Sequence, residues 1–307
     1  MNPEFNRRAF LKNTGGFVIA GGAIELLLAA CGGNVSNGTG STPATGATAI
    51  GHAGLMKPGA LQWGADYVSG APYVFQNPAN PNELVGFEVE IAMAMAQLMS
   101  LQEKMIETCY GELDQALAAN KFDMVMNGWE ITEERKKTQL FSDPYYSYGQ
   151  QMVVRADDQR FAQYSPTSDL QLSVLDSYTV GTGDGYKAAT YLQADSRINT
   201  KLYNGNLPFD DCKQKKIDAV MVDVPIVAYY VQGAGPGATP DPALKLLGKP
   251  IFYDVYVVGF NKNNASAPSL LPEINACIAR LKQNGTLKKI YQKWSLWNDH
   301  QATIGVQ

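Results

Sequence analysis

Residues 217–225 read Ile217-Asp218-Ala219-Val220-Met221-Val222-Asp223-Val224-Pro225, a short apolar run closed by an acid two residues before a proline. A run of this length predicts a buried strand over Ile217–Val222, with a helix starting at Ile226–Val231. Asp223 then lies at the carboxyl edge of a sheet, where open α/β sheets place their ligands. Its carboxylate is also suited to cap the following helix. Working outward, the same alternation recurs. Strands are expected at Ala60–Ala65, Lys104–Thr108, Phe122–Met126, Tyr178–Thr182 and Asn199–Leu202. Helices are expected at Val89–Ser100, Glu112–Asn120, Tyr186–Gln193 and Phe209–Gln214. Such β-α alternation argues for α/β layers with largely parallel sheets. The end differs: a strand at Tyr253–Phe260, then helices at Leu270–Gln283 and Leu287–Trp294, parted by the helix stop Asn284-Gly285.

The N-terminus carries a different signal. Asn6-Arg7-Arg8-Ala9-Phe10-Leu11-Lys12 resembles the twin-arginine export pattern, and a Gly-rich, mildly apolar stretch follows from Phe17 to Ala30. It is too short and too polar for a good membrane span and suits the core of a cleaved leader. Leu28-Ala29-Ala30-Cys31-Gly32 looks like a bacterial lipobox, in which Cys31 becomes the first mature residue and carries lipid. Asn34 to Gly54 is rich in Gly, Ser, Thr, Ala and Pro and reads as a flexible tether.

About 250 residues remain for folded structure, enough for two domains of common size or one large one. The formal charge of −4 gives no general attraction to nucleic acid. With Cys31 assigned to lipid, Cys109, Cys212 and Cys277 allow at most one disulfide, or stand as three buried thiols. No Cys or His pair has metal-ligand spacing, so neither a metal nor a cofactor is expected.

Several ordered segments resemble the bacterial extracellular solute-binding proteins of family 3, the periplasmic receptors of amino-acid importers. They are Glu83-Leu84-Val85-Gly86-Phe87-Glu88-Val89-Glu90, Ile131-Thr132-Glu133-Glu134-Arg135-Lys136-Lys137 and Phe141-Ser142-Asp143-Pro144-Tyr145-Tyr146. Ile217–Asp223 and the run from Asn284-Gly285-Thr286 to Lys293-Trp294 complete the pattern. The resemblance implies an α/β, two-lobed periplasmic-binding-protein fold of type II, a Venus flytrap with two hinge strands. Lobe 1 would span residues 57–148 and 254–300, lobe 2 residues 149–253, after a leader (1–30) and a tether (31–56), with 301–307 as a tail.

It also implies site residues. Arg135 falls where the family binds the ligand carboxylate, a task for which a guanidinium offers two parallel hydrogen bonds. Asp223 falls where the family holds the α-ammonium. Val180-Gly181-Thr182-Gly183-Asp184-Gly185-Tyr186-Lys187 lacks the last glycine of a dinucleotide fingerprint and has no P-loop Gly-Lys-Ser/Thr. As a helix start it suits an anion, the family's second carboxylate contact, with Tyr186 and Lys187 at that place. Asp66 matches a cleft acid, and Tyr110 matches either a ligand-packing aromatic or a core residue. Tyr67 or Tyr73 takes the place of a stacking aromatic. Asn127-Gly128-Trp129-Glu130 departs from the family. Gly128 suits a close backbone approach and Trp129 accompanies it. Glu130 replaces a neutral hydroxyl, either pairing with Arg135 or offering an anion to a cationic ligand.

The expected function is a non-enzymatic, lipid-anchored receptor outside the cytoplasm. It would act as a monomer that captures a polar or cationic amino acid and delivers it to ABC permease subunits. The alternative is an exported cyclohexadienyl (arogenate) dehydratase-like enzyme on the same fold, with Glu130 as general acid. The only histidines are His52 and His300, outside the expected cleft, which excludes a Ser-His or His-metal site there.

Overall fold

The computed structural model describes residues 54–68 and 70–307. Arg7, Arg8, Cys31 and nearly all of the expected tether lie outside the described residues.

The chain starts with strand β1 (Ala60–Ala65), a hairpin of β2 (Phe75–Asn77) and β3 (Asn80–Val85), and helix α1 (Phe87–Leu98). Gly86 enters α1 at φ 148°, and a Cβ there would meet the Tyr73 carbonyl at 2.0 Å. Within α1, Phe87, Ile91 and Met95 recur every four residues and are fully buried. Strand β4 (Gln102–Glu107), helix α2 (Leu113–Ala118), the short β5 (Met124–Val125), helix α3 (Arg135–Thr138) and β6 (Gln139–Phe141) follow. A ten-residue strand, β7 (Tyr146–Arg155), then leaves this layer.

Beyond it come β8 (Thr179–Gly183), α4 (Lys187–Ala194), β9 (Asn199–Tyr203), α5 (Phe209–Lys213), β10 (Ala219–Asp223) and α6 (Val224–Tyr230). The thirteen-residue β11 (Leu244–Tyr256) returns, followed by β12 (Gly259–Asn261), α7 (Ala267–Gln283), α8 (Thr286–Lys293) and α9 (His300–Thr303).

Two five-stranded sheets result. One has the order β4-β1-β5-β12-β6, with β4, β1 and β5 parallel. The other has the order β11-β7-β10-β8-β9, with β10, β8 and β9 parallel. The chain crosses between them twice, on β7 and β11, which pair antiparallel with Tyr146 opposite Tyr256 and Tyr148 opposite Asp254. These are the two hinge strands, and the architecture is the two-lobed α/β fold.

The opening stretch shows why the fold was readable. Every residue of β10 is buried. Ala219 and Met221 pack into one core cluster, Val220 and Val222 into another. A strand covered on both faces has no polar face to alternate with, so it reads as a continuous apolar run.

Two details differ from expectation. The strand expected at Tyr253–Phe260 is the end of β11 plus a separate strand, β12, in the other sheet. Cys109 is exposed rather than buried, while Cys212 and Cys277 are buried free thiols. Residues 301–307 are tied down: the Gln301 amide donates to Ser147 O (2.7 Å) and accepts from Ser147 N (3.0 Å). Those two groups face away from β11, so the tail completes the hydrogen bonding of a hinge strand. Among the described residues, no helix is long and apolar enough to cross a membrane.

Candidate functional site

Strand ends from both sheets converge on one cavity. Asp66 follows β1, Gly128 and Glu130 follow β5, and Asp223 ends β10. Tyr186 stands just before α4. Three carboxylates, Asp66, Glu130 and Asp223, and three phenol rings, Tyr73, Tyr110 and Tyr186, line the cavity. It encloses about 380 Å³ of space not filled by atoms, part of it open to solvent.

Each acid is held differently. Asp66 accepts hydrogen bonds from Val68 N (2.8 Å) and Tyr110 N (3.0 Å), which fixes its carboxylate at the mouth of the strand. Asp223 accepts from the Gln150 amide at 2.7 Å and from the Tyr256 hydroxyl. It occupies the cap position of α6, yet its side chain makes no capping bond. The capping alternative therefore does not hold; the carboxylate is turned toward the crossing strands. Glu130 accepts from the Tyr148 hydroxyl and, at 3.1 Å, from Lys187 N, the first N–H of α4.

Burial makes these charges costly. It pushes the Glu130 carboxyl up to about 8, with the nearby Asp223 charge raising it further and Tyr148 opposing. Burial likewise pushes Asp223 up to about 6, against hydrogen bonds from Tyr256 and Gln150 that favour its ionised form. Near neutral pH Glu130 thus holds a proton that an incoming cation would displace.

Arg135, Trp129 and Lys187 are not in the cavity wall. The Arg135 guanidinium stacks on the Trp129 ring, 3.4 Å from its centroid. Its Nε donates to both Asp114 oxygens at 3.2 Å, and Nη1 donates to the Glu130 carbonyl at 3.0 Å. Gln139 closes the group by accepting from Trp129 Nε1 (2.9 Å) and donating to Asp114 (2.6 Å). The side-chain ion pair considered between Glu130 and Arg135 does not form; Arg135 pairs with Asp114 instead. The Lys187 ammonium is committed to Asp254 at 3.2 Å and the Ile131 carbonyl at 3.0 Å.

Gly128 adopts φ 58°, and a Cβ there would stand 3.0 Å from the Tyr73 ring. Its N–H donates to Glu88 Oε1 at 2.8 Å. Tyr73, rather than Tyr67, supplies the aromatic wall. Tyr110 also packs edge-on against Tyr186, with centroids 5.3 Å apart.

Sequence reasoning missed the polar groups behind the wall. Tyr148 and Tyr256 stack at 4.1 Å between centroids and give one hydroxyl each to Glu130 and Asp223. Both sit on the crossing strands, and their partners are far away in sequence. His300 stacks on Tyr253 outside the cavity. Among the described residues, no group of His, Cys, Asp and Glu is disposed to hold a metal ion.

The site fits a small organic cation: acids to pair with it, ring faces to pack on it, and no positive side chain in the wall. The probable amino-acid-binding protein YxeM of Bacillus subtilis is 30% identical over 74% of this chain and 81% of its own length. The arginine-binding periplasmic protein of Mannheimia haemolytica is 28% identical, covering 72% of this chain and 86% of the relative. Among solved structures, an ancestral arginine-binding protein bound to arginine superposes with a TM-score of 0.65 at 29% identity, covering 77% of this chain and 98% of that one. An ancestral amino acid-binding protein described as a precursor of cyclohexadienyl dehydratase gives 0.65 at 26% identity, over 78% and 96%. Residues 65–296 match a single family, and from its residue sequence to its two crossing strands this chain belongs to the bacterial extracellular solute-binding proteins, family 3.

Proposed function

We propose that this protein is the substrate-binding component of an ABC importer, held outside the cytoplasm by lipid on Cys31, and that it captures a cationic amino acid or related amine. The observation that carries the reading is the meeting of Asp66, Glu130 and Asp223 with three tyrosines around one cavity. Residues 57–148 with 254–300 act as one lobe and 149–253 as the other. Asp66, Glu130 and Asp223 take the positive charge, Tyr73, Tyr110 and Tyr186 pack on the ligand, and Gly128 leaves it room. Trp129, Arg135 and Lys187 hold Glu130 and its loop from behind. A ligand that touches both lobes stabilises the closed form, and that form is what a permease would recognise. Mass spectrometry of ligand released from the purified chain, followed by a thermal-shift panel of amino acids and amines, tests this. A co-purified cationic solute that raises Tm is expected.

One observation favours a second reading. Glu130 is held protonated near neutral pH, as a general acid must be, and a solved relative is described as a dehydratase precursor. Incubation with arogenate or prephenate separates the two. Turnover would sink the receptor reading.

A further inference from the structure

We infer that the solute of this cleft is an organic amine or guanidine cation without a free carboxylate, because the protein supplies that carboxylate itself, from Glu130. The inference rests on the receptor reading proposed above and narrows it.

An amino acid brings two charges into a cleft, and a receptor must meet both. The two anion anchors that the family resemblance assigns to a ligand carboxylate are Arg135 and the start of α4. In this chain both are occupied by the protein. Arg135 is spent on Asp114, the Glu130 carbonyl and the Trp129 face, and it does not line the cavity. The first N–H of α4, on Lys187, donates to Glu130 Oε2 at 3.1 Å. The Gly128 N–H beside them is taken by Glu88. Glu130 itself is 2% exposed, so its carboxylate is a fixed part of the wall rather than a solvated neighbour.

Charge balance decides the case. No Lys or Arg lines the cavity, whereas three acids do. A ligand carboxylate would enter a buried space beside Glu130 and Asp223 with no cation in the wall, and the nearest one, Arg135, already acts on Glu130 and Tyr110. A bare ammonium or guanidinium meets carboxylates from both sheets and the faces of Tyr73, Tyr110 and Tyr186.

Calorimetric titration of the full chain at pH 8 with two matched pairs, agmatine against arginine and putrescine against ornithine, tests the inference. At least one decarboxylated member is expected to bind tenfold or more tightly than its parent amino acid. Equal or tighter binding of the parents would overturn the inference and leave the receptor reading standing; no binding by either amine would overturn it as well. Turnover of arogenate, measured on the same sample, would instead remove the receptor reading. Two variants separate charge from shape. Glu130→Ser vacates the α4 N-terminus and is expected to reverse the preference toward the amino acid. Glu130→Gln keeps the outline without the charge and is expected to lower amine affinity at least tenfold. Unchanged amine affinity in Glu130→Gln overturns the inference even if the serine variant fails to fold.

Discussion

Three buried carboxyl groups set the behaviour of this protein residue by residue. Glu88 is fully buried in α1, accepts from the Tyr145 hydroxyl and Gly128 N, and is pushed up to about 7 by burial. A carboxyl raised in the folded state contributes stability below its unfolded value, near 4.5, and that contribution is lost as pH rises through about 7. Glu88→Gln keeps an acceptor for both donors and removes the ionisation. It is therefore expected to flatten the fall in stability between pH 4.5 and pH 7, read by denaturant unfolding at each pH, at the cost of amide N–H groups placed where Glu88 Oε2 has no partner. The same sign governs binding. Glu130 and Asp223, pushed up to about 8 and about 6, must ionise to pair with a cation. Affinity should rise between pH 5.5 and pH 8.5, with proton release visible by calorimetry in buffers of different ionisation enthalpy. Arg135→Ala removes the stack on Trp129, leaves the Glu130 carbonyl without its donor and leaves Asp114 with Gln139 alone. A loss of roughly 2–3 kcal/mol in unfolding free energy is expected, larger than the surface-pair range.

At the scale of elements, the hinge strands carry what the sequence concealed. β10 and the β-α units around it were legible because strands buried on both faces stand as apolar runs beside helical periods. β7 was not. All ten of its residues are buried, yet the run contains Gln150 and Gln151, whose amide N–H groups donate to Asp223 and to the Met152, Leu247 and Gly248 carbonyls. Polar residues with such distant partners look like surface in a sequence. Glu130 failed for a related reason. Five residues from Arg135 it suggests a local ion pair, but the backbone gives Arg135 its carbonyl and turns its carboxylate to Tyr148 and α4. The family resemblance singled out residues; which of their atoms face the cavity depended on tertiary contacts. The tail is a further instance, since Gln301 closes both free hydrogen-bonding groups of Ser147 on β7. Gln301→Ala leaves a buried N–H and C=O unpaired and should cost about 1–3 kcal/mol, with hydrogen exchange accelerating first at β7.

For the whole molecule, the described chain passes between the two sheets on β7 and β11, and acids from both sheets meet in the cleft between them. A cation between Asp66 and Glu130 on one side and Asp223 on the other joins the two sheets, so binding and closure are one event. The membrane tether is a separate claim. Cys31→Ser is expected to move the protein from the membrane to the soluble fraction, and retention on the membrane would remove the lipid anchor. The central claim is that a cation is held between these acids, and calorimetry on wild type and Asp223→Asn tests it most directly. Agmatine or arginine should bind the wild type and lose about 100-fold in affinity in the variant, the scale of a buried charge-assisted contact. Equal affinity in both proteins, or no binding of either compound to the wild type, would contradict it.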